Sequence, residues 1–234
     1  DLNDFVEGMK VLLKPNGIIT MEFPHLMKLI AENQFDTIYH EHFSYFSFIS
    51  VQRVFASHGL RIFDVEEVPT HGGSLRIFAS HENSESRQVG KQVKELTKKE
   101  DQEGFRDMEF YSTFGENVKE TKRAILDFMI SEKRKGKSFA AYGAPAKGNT
   151  LLNYCGIRTD LIDYTVDRSP HKQDLFLPGV HIPIFHPDKI QATRPDYLVI
   201  LPWNLKNEII GQMSHIRNWG GKFVVFIPEV KIID

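Results

Sequence analysis

The sequence predicts an α/β protein whose C-terminal part is a doubly wound parallel sheet. Three observations carry this. Between 136 and 234, short apolar runs alternate with helical stretches: Ser138–Tyr142, Ile162–Val166, Tyr197–Leu201 and Phe223–Ile227. Such alternation marks parallel strands joined by crossover helices. The first run leads into Gly143-Ala144-Pro145-Ala146-Lys147-Gly148-Asn149-Thr150 and then a helix from about 150, so a glycine-bearing loop sits at a strand's carboxyl end. Finally, 41% of the 234 residues are hydrophobic and 26% charged, an ordinary balance for a chain that buries a core.

The earlier elements follow from spacing and punctuation. Leu2, Phe5, Val6, Met9 and Leu12 fall at helical intervals, predicting a helix over 1–12 that Pro15-Asn16-Gly17 breaks. Ile18–Phe23, closed by Pro24, reads as a buried strand. A helix over 25–34 follows, then a stretch over 35–49 dense in aromatics and histidines. Ser50 is placed to cap a helix over 51–58, ended by Gly59. Strands at Leu60–Val68 and Ser74–Ser80 are joined through Pro69-Thr70-His71-Gly72-Gly73. Residues 82–104 are polar and charged, as a solvated connector is. Residues 105–135 read as a long amphipathic helix broken near Gly115.

Composition removes whole classes of function. A net charge of −2 leaves no bulk basic field for nucleic acid. The single cysteine, Cys155, forbids an intrachain disulfide and a cysteine-based zinc site, and fits a reducing cytoplasm. No apolar run approaches the ~20 residues of a membrane span, and no secretory signal is visible. A small-molecule partner is expected, with neither nucleic acid nor membrane; oligomeric state is not legible. The chain opens at Asp1, inside a helix-like stretch, which points to a piece of a longer protein.

Four constellations could carry chemistry. Tyr142, Gly143, Ala146, Lys147 and Asn149 lie on the strand–loop–helix junction, where free backbone N–H groups and a lysine favour an anion. Asp167 closes the next strand, where an acidic side chain can meet a sugar hydroxyl. The spacing is neither G-x-G-x-x-G nor a Walker loop, which argues against a nicotinamide-dependent oxidoreductase. A tight turn with a surface lysine and a capping aspartate is the plainer alternative. Tyr39-His40-Glu41-His42 admits three readings: core histidines, metal ligands, or a general base oriented by a carboxylate. The spacing is not H-E-x-x-H, and no metal site is assigned. In an extended segment Tyr39 and Glu41 would share one face and His40 and His42 the other; a turn would break that alternation. His71-Gly72-Gly73-Ser74-Leu75-Arg76 is either a ligand loop, with Ser74 and Arg76 binding oxygens, or a plain hairpin turn. Glu22 and Pro24 set a carboxylate at a strand end, a candidate site or an exposed acid.

Together with Leu12-Leu13-Lys14-Pro15-Asn16-Gly17 and Leu201-Pro202-Trp203-Asn204, these motifs resemble, in order, those of the S-adenosylmethionine-dependent sugar C-methyltransferases. The resemblance implies the late part of a class I methyltransferase fold over 1–82, a helical connector over 83–135 and a Rossmann-like C-terminal domain over 136–234. It places zinc only in an N-terminal piece, and the glycine-rich methyl-donor loop in the early part of the central domain; this sequence contains neither the zinc cysteines nor that loop. The isolated chain is therefore expected to be inactive. It implies proton removal beside the ketone of a nucleotide-linked 4-keto-deoxysugar, then attack of the enolate on the methyl donor. His42 would be the base, with Glu41 and Tyr39 shaping the site. Glu22 and Pro24 would face the cofactor. His71, Gly72, Ser74, Arg76 and the loop with Ala146 and Lys147, which would take the pyrophosphate, would face the substrate. Where the family often has a Lys-x-Gly turn, this chain has Lys172-Gln173-Asp174. The alternative function is a non-catalytic module binding a nucleotide or phosphorylated ligand.

Overall fold

A computed structural model describes residues 1–84 and 87–234. Its contacts divide the chain into two compact units, one of 1–31 with 43–114 and one of 32–42 with 115–234. The expected connector over 83–135 is thus divided between the units, and residues 32–42 belong with the C-terminal half.

In the first unit, helix α1 (Leu2–Leu12) precedes strand β1 (Ile19–Pro24) and helix α2 (Leu26–Ala31). Helix α3 (Phe48–Ser57), strands β2 (Leu60–Val68) and β3 (Ser74–His81) and helix α4 (Lys91–Gln102) follow. The three strands form an antiparallel sheet in the order β1-β3-β2. Leu75, Ile77 and Ala79 of the central strand are fully buried, as period-two alternation on a one-faced sheet requires. Phe48, Phe55, Leu60 and Val65 complete this core.

The expected cap at Ser50 is one turn late. Ser47 caps α3, accepting from the Ser50 N–H. Glu100 of α4 explains the extra turn: its carboxylate accepts from the backbone N–H of Phe48 and Ile49 at 2.7 and 2.8 Å. The buried ring of His25 meets the same carboxylate at 2.7 Å. Two orphan helix donors and a histidine therefore satisfy the acceptors of a carboxylate with no solvent exposure.

In the second unit, helix α5 (Met108–Arg134), whose first turns belong to the first unit, runs without interruption; Gly115 costs helix propensity but does not break it. Strand β4 (Phe139–Tyr142), helix α6 (Ala146–Cys155), strands β5 (Thr165–Val166) and β6 (Ile184–Phe185), helix α7 (Lys189–Thr193), strand β7 (Tyr197–Ile200), helix α8 (Lys206–Gln212) and strands β8 (Lys222–Val225) and β9 (Lys231–Ile233) complete it. The six strands lie in the order β6-β5-β4-β7-β8-β9, parallel except for β9. This is the doubly wound sheet that the alternating pattern predicts, with the chain reversing direction of winding between β4 and β7.

Local differences have local causes. The strand expected over Ile162–Val166 shrinks to two residues, because Ile162 N–H bonds to Arg158 in a turn. Helix α6 starts at Ala146 rather than near 150, with Pro145 at its cap. Asp174 takes φ 63°, the left-handed conformation that a glycine would adopt freely and that aspartate tolerates. That is the position where the resemblance leads one to expect a turn glycine. Cys155 is buried, and desolvation pushes its thiol up to about 11. No helix among the described residues is long and apolar enough to cross a membrane.

Glu100→Ala should strand His25 and two helix donors, lowering stability by about 3–5 kcal/mol. Denaturant midpoints measure this; a loss below about 1 kcal/mol, typical of a surface pair, would contradict it.

Candidate functional site

The second unit gathers the base candidate and the anion candidate. Residues 35–37 form a 3-10 turn, and the chain then makes a tight turn through 39–42, with His42 N–H bonding to the Tyr39 carbonyl at 3.0 Å. The extended alternation is therefore absent. Instead the turn stacks Tyr39 against His42, ring centroids 4.9 Å apart, and sets the phenol oxygen 3.2 Å from Nε2. Glu41, expected to orient the ring, is exposed and the phenol occupies that place. His40 is exposed also. No cluster of three His, Cys, Asp or Glu groups suited to a metal occurs among the described residues.

Just before this turn lies a residue without a sequence signal. Asp36 has no solvent exposure. Its Oδ2 accepts from the indole N–H of Trp203 at 2.7 Å, and its Oδ1 has no hydrogen-bond partner. Burial pushes the carboxyl up to about 6, partly offset by the Trp203 bond and the charge of Lys147. Lys147, on the first turn of α6, places Nζ 4.7 Å from the centre of the Trp203 ring and donates to Asn204 Oδ1 at 2.8 Å. Burial draws the lysine below its usual range, and Asp36 opposes that. A lone aspartate between Phe35 and Thr37 carries no motif that marks it; Trp203 and Asn204 stood out only as part of a resemblance.

The loop before α6 is braced rather than open. Gly143 has φ 92°, and a Cβ there would fall 2.7 Å from Pro202, so glycine is required on both counts. Asp167, expected to meet a sugar hydroxyl, accepts from the N–H of Ala144 and of Ser169, both at 2.8 Å. Lys172 donates to the Ala144 carbonyl at 2.9 Å. Oδ2 thus holds one loop to the next, while Oδ1 closes the turn of its own loop. The Tyr142 hydroxyl donates to Gln212 at 3.1 Å. Tyr142, Gly143, Pro145 and Asp167 line a cleft of about 260 Å³ at the carboxyl ends of β4 and β5. Ala146 is exposed at the start of α6, and Asn149, one turn on, bonds to Asn153.

The other candidates form a cluster in the first unit. Register places Glu22 of β1 beside Arg76 of β3. Glu22 accepts from Arg76 at 2.9 Å and from the Thr70 hydroxyl at 2.6 Å, which together hold its carboxyl below the usual range. His71 (φ 54°), Gly72 and Gly73 make the left-handed turn that follows Thr70. Ser74 is buried and donates to the Thr70 carbonyl at 3.1 Å, so it braces this turn. Pro24 ends β1, opposite Ser74.

With this geometry in hand, two comparisons are informative. The profile described as the C-methyltransferase C-terminal domain matches residues 69–228. The chain is also 38% identical, over all 234 residues, to the C-methyltransferase NovU of Streptomyces niveus. It spans 56% of that relative's length.

Asp36→Asn should change stability in a pH-dependent way. The folded carboxyl titrates at about 6, above its ordinary 3.8. Stability supplied by the neutral form is complete below the unfolded value and is lost as pH rises through about 6. The asparagine variant should therefore gain on the wild type between pH 4 and 7, by up to roughly 3 kcal/mol. Paired denaturant curves measure this, and a pH-independent difference would contradict it.

Proposed function

Because the chain belongs to the C-methyltransferase C-terminal domain family, we propose that it is the C-terminal portion of an enzyme that methylates a nucleotide-linked 4-keto-deoxysugar beside its ketone, with S-adenosylmethionine as donor. The observation that carries this reading is the Tyr39–His42 pair in the same unit as Lys147. Removing a proton from carbon near neutral pH needs a base of histidine's strength held in place. The turn over 39–42 holds the ring by one backbone bond and one phenol contact. With Nε2–H donating to the phenol oxygen at 3.2 Å, the ring takes the proton from carbon at its other nitrogen, and the Nε2 bond then stabilises the imidazolium.

Lys147 donates once to Asn204 and rests its ammonium on the Trp203 face, and a three-donor group so held can still meet an anion. With the first backbone N–H groups of α6, it makes a place for the pyrophosphate. The fixed ends, base and anion site, would orient the sugar between them, which is where much of the rate acceleration arises.

S-adenosylmethionine, when bound, supplies an electrophilic methyl group. This chain offers Glu22 and Pro24 toward it. Glu22 suits a hydroxyl of that cofactor, since two hydrogen bonds leave a carboxylate further acceptor sites. Arg76 and Thr70 fix its orientation.

In the full gene product, His42→Ala should lower methyl transfer to a 4-keto nucleotide sugar by at least about 10³-fold while nucleotide affinity stays within a few fold. Tyr39→Phe should cost less, about tenfold to a hundredfold. Turnover unaffected by His42→Ala, with the nucleotide still bound, would replace this reading with the binding-module alternative.

A further inference from the structure

Trp203 touches both halves of the candidate site, and does so with different parts of one side chain. Its edge donates an N–H to Asp36, three residues before Tyr39. Its face carries the Lys147 ammonium, whose position Asn204 fixes from the other side. The indole itself is buried. We propose that Trp203 is a positioning residue that holds the base segment by its edge and the anion-binding lysine by its face. This rests on the function proposed above and deepens it.

Three features support a role beyond packing. A buried carboxylate is a costly way to anchor a turn, since a neutral acceptor would satisfy the same N–H. Its negative charge at the indole edge adds to the electron density that a cation meets at the face, so edge and face contacts reinforce each other. The segment has other anchors as well. The buried ring of Phe35 lies against Tyr154, and Asn33 donates to Thr121 at 2.6 Å and to the Asn117 carbonyl at 3.2 Å. Those contacts fix where the segment enters; the Asp36–Trp203 bond ties it to the loop that also meets Lys147.

The two contacts predict a separation of kinetic constants that packing alone would not produce. Trp203→Phe keeps an aromatic face but removes the N–H. It should lower kcat about tenfold and leave KM for the nucleotide sugar within about twofold. Lys147→Met should raise KM about tenfold or more with little change in kcat. Trp203→Leu removes both contacts and should shift both constants. Asp36→Ala should lower kcat as Trp203→Phe does. Asp36→Asn, whose amide oxygen can still accept the N–H, should restore most of that loss. Each variant is assayed in the full gene product after its thermal unfolding has been compared with the wild type. Should Trp203→Phe not fold, the Asp36→Ala and Asp36→Asn pair tests the same bond from its other end.

The proposal is overturned if Trp203→Phe and Trp203→Leu change the same constant to the same extent, or if Asp36→Asn is as impaired as Asp36→Ala. If Lys147→Met leaves KM unchanged, or His42→Ala leaves turnover intact, the underlying reading of the site has failed instead.

Discussion

The buried hydrogen bond from the Trp203 indole to Asp36 is the contact on which the candidate site depends. It takes a segment that sequence order places between two elements of the first unit and fastens it to the second. Without it, Tyr39 and His42 would still form their own turn, and Phe35 would still lie against Tyr154 of α6, but the segment would lose its buried bond to Trp203. The bond also explains an otherwise expensive choice. A carboxylate with no solvent exposure is pushed up to about 6, so its charged form carries a burial cost that the Trp203 bond and the charge of Lys147 partly offset. Lys147 is shifted in the opposite direction by the same burial. Groups displaced toward each other in this way recur where a site is assembled rather than where a core is merely filled.

The glycine-bearing loop shows the complementary constraint, in which backbone fixes chemistry. Gly143 turns sharply against Pro202, and Gly148 brings α6 so close to β7 that an added Cβ would fall 2.7 Å from that of Leu201. Asp167 and Lys172 then lace the loop to its neighbour. The loop is consequently a rigid support for Lys147. In the first unit the same logic appears as a row across the sheet, where Arg76 stands between Glu22 and Glu66. A cross-strand pair of this kind orders the Glu22 carboxylate.

Much of the fold was legible because periodicity and punctuation are local. The alternation of apolar runs with helical stretches after residue 136 gave the doubly wound sheet, and the strands Leu60–Val68 and Ser74–His81 lie where their apolar pattern put them. The errors arose where a distant residue intervened. Glu100, 52 residues from Phe48, extended α3 by a turn. Strands of two or three residues, as in β6 and β9, are too short for a pattern to register. In the site, the Tyr-His-Glu-His cluster was visible, but which members meet was not. Four residues in a row can present either alternate faces or a turn, and the turn selected Tyr39 rather than Glu41 as the partner of His42. Asp36 was invisible because its meaning comes from Trp203, 167 positions away.

The central claim is that His42 removes a proton from carbon beside a ketone. Hydrogen exchange isolates that step from methyl transfer. The full gene product is incubated in deuterated water with a nucleotide-linked 4-keto-deoxysugar and no methyl donor, and the hydrogens flanking the ketone are followed by NMR. The account predicts enzyme-dependent loss of one such hydrogen, abolished in His42→Ala and slowed in Tyr39→Phe. Exchange that proceeds undiminished in His42→Ala would contradict it.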